Sequence, residues 1–219
     1  MAAVLSWEAR NDAIAAGISG EHETVFKRDD LDYWQTLSAG GNRYLIVAAA
    51  NEKKSSPTYT CAAVIELRQD RTYLVVDLLR AELNTTERLD LLFNWHRDYD
   101  PVRVGYEARG LEADQKHIAD RKARENHRFF IDPLESKLTE NERIMRLVPI
   151  AEGRRLILPE KCEHDGVDMV TVFRDQELTP YPFAPHCDLL DLVSRILDMP
   201  TVFPTKAGKP RPTVFPSDF

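Results

Sequence analysis

Three aliphatic and β-branched runs, joined by short polar segments, constrain the fold of this chain more than any other feature. They cover residues 44–50, 59–67 and 72–79 and are rich in Val, Ile, Leu and Tyr. This composition is typical of β-strands, and the segments between the runs are polar and turn-like. Because short connections join antiparallel neighbours, the sequence predicts a three-stranded antiparallel sheet.

The elements that follow these strands decide the class of fold. A capping signal at Thr85-Thr86-Glu87 opens an apolar helix, and the strand-like run 102–106 then completes a β-α-β crossover. The remaining predictions are helices at 111–126, 140–151 and 188–197 and short strands at 129–132 and 155–158, with 167–173 open between helix and strand. This order predicts an α/β fold of the ribonuclease H-like type: a mixed sheet of three antiparallel strands followed by parallel strands, flanked by helices.

The two ends of the chain differ in composition from its middle. Residues 1–40 are mixed and polar, with short helical periods at 7–16 and 28–37, and predict a lead-in segment. Residues 201–219 are proline-rich and predict a flexible tail. The folded domain is therefore expected at 41–200.

Charge and cysteine content exclude several classes of protein. The net charge of −7 means that any nucleic-acid contact depends on a local basic surface. The cysteines Cys61, Cys162 and Cys187 have no C-x-x-C spacing, which argues against both a disulfide framework and a zinc knuckle. No apolar run is long enough for a membrane span, and the first residues do not resemble a signal peptide, so a soluble protein that stays inside a cell is predicted.

Three acidic residues are candidates for one metal site. Asp188 and Asp191 lie at i, i+3 in the first turn of an amphipathic helix, and Glu107 ends an apolar strand. In a ribonuclease H-like sheet, acidic residues from the first strand, the fourth strand and the closing helix meet at one edge. Carboxylate oxygens favour Mg²⁺ or Mn²⁺, and a pair of such ions is suited to phosphodiester hydrolysis.

An ordered set of segments from 44 to 199 resembles the nuclease domain of the large terminase subunit of tailed bacteriophages. Each segment alone is weak, and the specificity lies in their order. The set comprises the strand at 44–47, the segment 101–110 around Glu107, Lys137, Glu142-Arg143-Ile144 with Leu147, the segment 153–159, and the segment 179–191.

The resemblance implies a metal-dependent endonuclease that cuts concatemeric double-stranded DNA during viral genome packaging. It implies two Mg²⁺ or Mn²⁺ ions, an ATPase motor domain of the same protein, a small terminase subunit and the portal of a procapsid as partners, with the cytoplasm of an infected bacterium as the location. Since no G-x-x-x-x-G-K-[ST] motif occurs, the resemblance is to the nuclease half alone, and residues 1–40 resemble the segment after the motor.

One position departs from the family pattern. The family has an Asp just after the first strand, where this chain has Ala48. Alanine cannot bind a metal, so either the natural protein uses fewer ligands or the chain is an inactivated variant. We favour the second interpretation, because the surrounding pattern is intact, and predict little or no cleavage.

Each candidate ligand also has a structural interpretation. Glu107 can be a solvated carboxylate beside Arg109, Asp188 can be only a helix N-cap, and Asp191 can only complement the positive helix N-terminus. His186 is expected at the surface, and Cys187 as a small half-buried residue. We place the ligand role first for Glu107 and Asp188 and leave Asp191 open.

Basic residues in two regions are candidates for contact with DNA phosphates. Lys116 and Arg121 lie on a predicted helix rich in basic groups, where interleaved acids favour an ordinary salt-bridged surface instead. Lys137 and Arg143 match the family pattern and rank higher. The basic tail segment 206–211 can contact DNA or a partner, or be disordered.

Two other functions fit the same pattern. Junction resolvases and transposase-like nucleases share the order of elements and recognise branched DNA or act as dimers. A non-catalytic domain that docks DNA or a portal would have lost its metal. Binding of Mn²⁺ and cleavage of unbranched duplex separate these alternatives.

Overall fold

A seven-stranded mixed sheet is the centre of the computed structural model, which describes residues 24–37, 40–49 and 59–205. In spatial order the strands are β1, β7, β4, β3, β2, β5 and β6, and a separate two-stranded hairpin pairs β8 with β9. Their bounds are β1 Asp32–Trp34, β2 Asn42–Ala48, β3 Thr60–Leu67, β4 Tyr73–Ala81, β5 Arg103–Glu107, β6 Ile131–Leu134, β7 Leu156–Pro159, β8 Glu163–His164 and β9 Val167–Asp168.

Helices cover both faces of the sheet. A 3₁₀ turn at Arg28–Asp30 precedes β1, α5 continues into a π-helical stretch at Val172–Leu178, and α6 continues into a 3₁₀ turn at Arg195–Asp198. None of the helices in the described ranges is long and apolar enough to cross a lipid bilayer. The helices are α1 Thr85–Tyr99, α2 Ala108–Glu125, α3 Glu140–Met145, α4 Val148–Glu152, α5 Met169–Thr171 and α6 Asp188–Ser194.

The pairing of the strands confirms the predicted order of the sheet. β2 pairs with β3, and β3 with β4, in the antiparallel sense. β5 pairs with β2, and β6 with β5, in the parallel sense, while β7 pairs parallel to β4. The carboxyl ends of β2 and β5 therefore lie at the same edge of the sheet.

Side chains alternate between two apolar layers because successive residues of a strand point to opposite faces. On β2, Tyr44 and Ile46 pack into one layer with α6, and Leu45 and Val47 pack into the other with α1 and α2. All eight residues of β3 are buried, as expected for a central strand with both faces covered. The two layers fix α2 and α6 on opposite faces.

A buried ion pair joins α1 to α2. Arg88 donates to both carboxylate oxygens of Asp114, over 2.9 and 3.1 Å, and the Tyr106 hydroxyl on β5 donates to the same carboxylate over 2.7 Å. Arg88 and Asp114 are 5% and 1% exposed. Protein side chains thus donate hydrogen bonds to both oxygen atoms of this buried carboxylate.

The helical period predicted at 28–37 is wrong. This part of the chain forms the 3₁₀ turn and strand β1, which pairs parallel to β7. Phe26 and Leu31 are buried in the core, so burial overrides the local periodicity. The segment 24–34 thus packs with the domain predicted at 41–200. The helical period at 7–16, the turn at 51–57 and the tail from 206 onwards lie outside the described residues.

Several predicted helices have different bounds in the structure. The helix predicted at 140–151 is two helices, with Pro149 in the first turn of the second one, where a missing N–H costs least. The ambiguous segment at 167–173 is helical from Met169 onwards, and the closing helix changes to 3₁₀ geometry at Arg195. The capping box of α1 uses Asn84 with Glu87.

Candidate functional site

The ends of two parallel strands form the first wall of the candidate site. Ala48 is the last residue of β2 and Glu107 the last of β5. The register pairs Val47 with Tyr106, so positions 48 and 107 lie next to each other at the carboxyl edge. Helix α2 begins directly after Glu107. The first and fourth strands of the sequence analysis correspond to β2 and β5. Their backbones meet at this edge, as predicted.

Helix α6 forms the second wall of the site. Its apolar residues Leu189, Leu190 and Val193 are fully buried against the sheet, which leaves Asp188 and Asp191 at the side facing the strand ends. The N-cap is Cys187, whose side chain makes no capping hydrogen bond. Asp188 is the first helical residue, so the interpretation of Asp188 as the N-cap is wrong.

The two walls enclose a cavity of about 480 Å³. Four carboxylates and three guanidinium groups line it, so acidic and basic groups meet in a space large enough for a phosphodiester and ions. The lining includes Val47, Ala48, Glu107, Ala108, Arg109, Leu134, Glu135, Ser136, Arg143, Asp188, Asp191, Leu192 and Arg195.

The three candidate ligands differ in how strongly the protein already binds them. Among the described residues, no ion pair joins Glu107, which also makes no capping bond to α2. Asp188 is about half exposed, and within the described residues its carboxylate forms an ion pair with Arg80, at 3.6 Å. Asp191 receives two hydrogen bonds from Arg143, at 2.6 and 2.7 Å. Glu107 and Asp188 are therefore the available oxygen ligands, and Asp191 is engaged.

An arginine and a glutamate behind Asp188 were missed by the sequence analysis. Arg80, on β4, contacts Glu177 at 3.0 Å and stacks on the ring of Tyr59. Glu177 is fully buried and accepts the backbone N–H of Leu190 at 2.9 Å. Burial raises the pKa of Glu177 to about 7, and Arg80 lowers it in part. No local pattern indicates this pair, because Arg80 directly follows the strand predicted at 72–79 and Glu177 lies in the mixed polar and apolar segment 172–178.

Cys187 and His186, which directly precede Asp188, lie where the sequence analysis predicts them. Cys187 is half-buried, as predicted, and burial raises the pKa of its thiol to about 12, with the nearby carboxylates adding to the shift. His186 is exposed at the surface, also as predicted. Neither residue belongs to the lining of the cavity.

A close approach of two backbones fixes the distance between the two strand ends. A Cβ at Gly110, in the first turn of α2, would lie 2.5 Å from the Cβ of Ala49, and 3.2 Å from the ring of Tyr106. Only glycine fits there without a shift of the neighbouring chain. The start of α2 is thereby held against the residue that follows Ala48.

The predicted DNA-binding residues fall into two groups. Arg143 lines the cavity, and Lys137 is exposed in the adjoining turn between β6 and α3. Lys116 is exposed on α2, and Arg121 contacts both Asp90 and Glu125 at 2.6 Å. At 1.5 Å per residue, Arg121 lies roughly 20 Å along α2 from Glu107. The geometry favours the salt-bridged interpretation for Arg121, and DNA contact by all four residues stays a prediction.

The residues of the site match a hard divalent cation. Glu107 and Asp188 supply carboxylate oxygens, which suit Mg²⁺ or Mn²⁺. Ala48 supplies no ligand atom, and Asp191 can join only by leaving Arg143. Of the three candidate ligands, Glu107 and Asp188 thus fit one ion, and Asp191 would have to leave Arg143 to bind a second one. Glu135, the fourth carboxylate, also lines the cavity.

Three solved structures align with this chain over most of its length. The large terminase nuclease from thermophilic phage G20c has a TM-score of 0.51 and 13% identity, over 78% of this chain and 95% of that chain. The human cytomegalovirus terminase nuclease domain, Mn-soaked and inhibitor-bound, has a TM-score of 0.51 and 9% identity, over 87% and 92%. The yeast mitochondrial Holliday junction resolvase has a TM-score of 0.41 and 13% identity, over 72% and 80%.

These similarities concern the fold. No family model and no curated protein matches the sequence. At identities of 9% and 13%, the two terminase nuclease domains share their chain path with this protein. The predicted ribonuclease H-like fold is confirmed, and the resemblance to terminase nuclease domains holds at the level of this nuclease fold.

Proposed function

We propose that this chain is a metal-dependent endonuclease domain that cuts double-stranded DNA, and that Ala48 impairs the cleavage. The observation that supports the proposal most directly is the convergence of Ala48, Glu107 and Asp188 on one cavity. Glu107 and Asp188 would hold Mg²⁺ or Mn²⁺. The bound ion would supply charge stabilisation at the phosphate and lower the pKa of a water molecule.

The residues of the chain would position the substrate around that ion. Arg109 and Arg143 line the cavity and can neutralise phosphate oxygens, whereas Arg195, which also lines it, is buried and pairs with Asp198. Lys137 would contact the DNA backbone beside the cavity, and Lys116 further along α2. Arg143 would have to release Asp191 before a second ion binds, so phosphate binding and the second site are linked in this proposal.

In the same proposal, the chain is the nuclease part of a viral DNA-packaging terminase. The fold shared with two terminase nuclease domains supports it. Its partners would be concatemeric double-stranded DNA, an ATPase motor domain of the same protein, a small terminase subunit and a procapsid portal, in the cytoplasm of an infected bacterium. Residues 41–200 would form the nuclease domain, with 1–40 towards the motor and 201–219 as a tail.

The test replaces the missing ligand. The variant Ala48→Asp is incubated with supercoiled plasmid and Mn²⁺. The original chain and Ala48→Asn are the controls, since an Asn side chain has nearly the shape of Asp but carries no negative charge. Cleavage is expected from Ala48→Asp alone. It is expected to disappear when Glu107→Gln is added, because the shared ion then loses a carboxylate ligand.

Two outcomes would contradict the proposal. Cleavage that survives Glu107→Gln would remove the site assignment. Absence of both cleavage and Mn²⁺ binding by Ala48→Asp, measured by calorimetry, would favour a non-catalytic docking domain. A strong preference for four-way junctions over plasmid would instead support a resolvase-like enzyme.

A further inference from the structure

A second cluster of potential metal ligands lies outside the lining of the cavity. It consists of Asp77 on β4, Cys162 after β7, and His164 on β8. The thiol sulfur lies 2.9 Å and the His164 Nε2 atom 2.6 Å from the same oxygen of Asp77, Oδ1. One ligand atom from each residue lies within 4.8 Å of the others.

The fold brings these residues together where two strands diverge. β7 pairs with β4 only at Tyr73 and Leu74, and the chain then leaves β4 and forms the β8–β9 hairpin. Cys162 is buried beside the stretch of β4 that β7 does not pair with, and its sulfur lies 3.4 Å from the backbone nitrogen of Leu78. Asp168, at the end of the hairpin, accepts the N–H of Cys162 at 3.1 Å. The segment 162–164, at the start of the hairpin, is thus held against Asp77 on β4.

The chemistry of the cluster differs from that of the cavity. A thiolate, an imidazole and a carboxylate are the ligand types of Zn²⁺, whereas Mg²⁺ and Mn²⁺ favour oxygen alone. Bond lengths of about 2.0–2.3 Å in a tetrahedral zinc site place neighbouring ligand atoms about 3.3–3.8 Å apart. The observed separations need to open by less than about 1 Å. Asp77 and Cys162 are 7% and 8% exposed, and His164 is partly exposed, which provides access.

We propose that Asp77, Cys162 and His164 form a Zn²⁺ site with water as the fourth ligand, which ties the β8–β9 hairpin to β4. The Tyr99 hydroxyl donates to the other oxygen of Asp77 and would orient this carboxylate from outside the ion. The ring of Trp95 lies 5.8 Å from that of His164 and covers one side. In the sequence, only the Cys162-x-His164 spacing indicated a possible zinc site. The sequence analysis considered C-x-x-C pairs and did not recognise this spacing.

Co²⁺ titration of the metal-free full chain tests the proposal. We expect a thiolate-to-cobalt charge-transfer band at one equivalent, removed by Zn²⁺ and not by Mg²⁺. The band is expected to be lost in Cys162→Ser. It is expected to be retained in Cys187→Ser, which removes a thiol outside the cluster, and in Asp188→Asn, which alters the cavity instead. In His164→Gln the affinity for Zn²⁺ is expected to fall at least ~10-fold, as for the loss of one ligand contact.

A second measurement keeps the test decisive if Cys162→Ser does not fold. X-ray absorption at the zinc edge of the unmodified chain is expected to show one sulfur ligand per ion. No charge-transfer band, a band that persists in Cys162→Ser, or a zinc edge without sulfur would overturn the proposal. In that case Asp77, Cys162 and His164 form a hydrogen-bonded cluster only.

Discussion

Two carboxylate regions on either side of β5 differ in how completely the protein satisfies them. On one side, Asp114 is buried and receives hydrogen bonds from Arg88 and Tyr106. On the other side, Glu107 and Asp188 face a cavity, and the nearest cation to Asp188 is 3.6 Å away. Both regions consist of a carboxylate beside an arginine, yet only the second leaves oxygen atoms available.

The difference separates a structural role from a binding role. A buried charge is tolerated only when its partners are complete, so Asp114 is committed to the packing of α1 against α2. Glu107 and Asp188 keep their charge at a solvent-accessible wall, where a cation can be their partner. Arg143 and Asp191 lie between these extremes, because their ion pair lines the cavity.

The largest change in the free energy of unfolding is expected when the buried ion pair between Arg88 and Asp114 is broken. Arg88→Met leaves the buried Asp114 charged without its ion-pair partner, and is expected to destabilise the protein by about 3–5 kcal/mol. Arg143→Met, which removes an ion pair at the cavity wall, is expected to cost about 1 kcal/mol or less. Urea unfolding followed by circular dichroism measures both values. Equal losses would contradict the distinction between the two regions.

The second prediction concerns the buried acid behind the cavity. Burial raises the pKa of Glu177 to about 7 from its usual 4.5, so the folded state holds a proton that the unfolded chain has lost. This contribution to the free energy of unfolding is complete below pH 4.5 and is lost as the pH rises to about 7. The shift corresponds to a change on the order of 3 kcal/mol.

The variant Glu177→Gln tests this pH dependence, because it cannot titrate. Its free energy of unfolding is expected to change less than that of the original chain between pH 4.5 and 7. Glu152→Gln, at an exposed position, is the control and is expected to follow the original chain. Parallel curves for Glu177→Gln and the original chain would mean that Glu177 is ionised throughout.

The third prediction sharpens the comparison within the buried region. Tyr106→Phe removes one of the donors to Asp114 and keeps the ring in place. A loss of about 1–2 kcal/mol is expected, since a hydrogen bond to a charged group in a dry site is stronger than the average. Thermal unfolding of the variant measures it. A neutral effect would show that Arg88 alone satisfies the carboxylate.

The smallest effect on stability is expected at the open carboxylates. Glu107→Gln and Asp188→Asn are each expected to change the free energy of unfolding by no more than about 0.5 kcal/mol, the range of ordinary surface substitutions. In the Ala48→Asp background, the same changes are expected to weaken Mn²⁺ binding measured by calorimetry. A large loss of stability without a change in binding would assign a structural role to both residues.

The fold was predictable from the sequence where periodicity and connection length agree. The antiparallel strands and the crossover through α1 to β5 follow from short polar turns and a capped amphipathic helix. Strand β1 was not predictable, because its pairing with β7 depends on contacts more than 100 residues away in sequence. The break between α3 and α4 had a signal in Pro149, although its position required the packing of both helices.

The candidate site was predictable in its position, and less so in its electrostatics. Glu107 and Asp188 were indicated by their places at a strand end and a helix start. The bidentate contact between Arg143 and Asp191 was not, since no local pattern joins residues on two different helices. The burial of Glu177 likewise depends on packing that a single sequence does not display.

Gly110 allows the start of α2 to lie close to the end of β2, although it has no functional group of its own. Since a Cβ there would meet Ala49, any larger residue has to push the start of α2 away from the end of β2. Positions 48 and 107 would then move apart with their chemistry unchanged. The spacing between the ends of β2 and β5 therefore depends partly on the absence of a side chain at position 110.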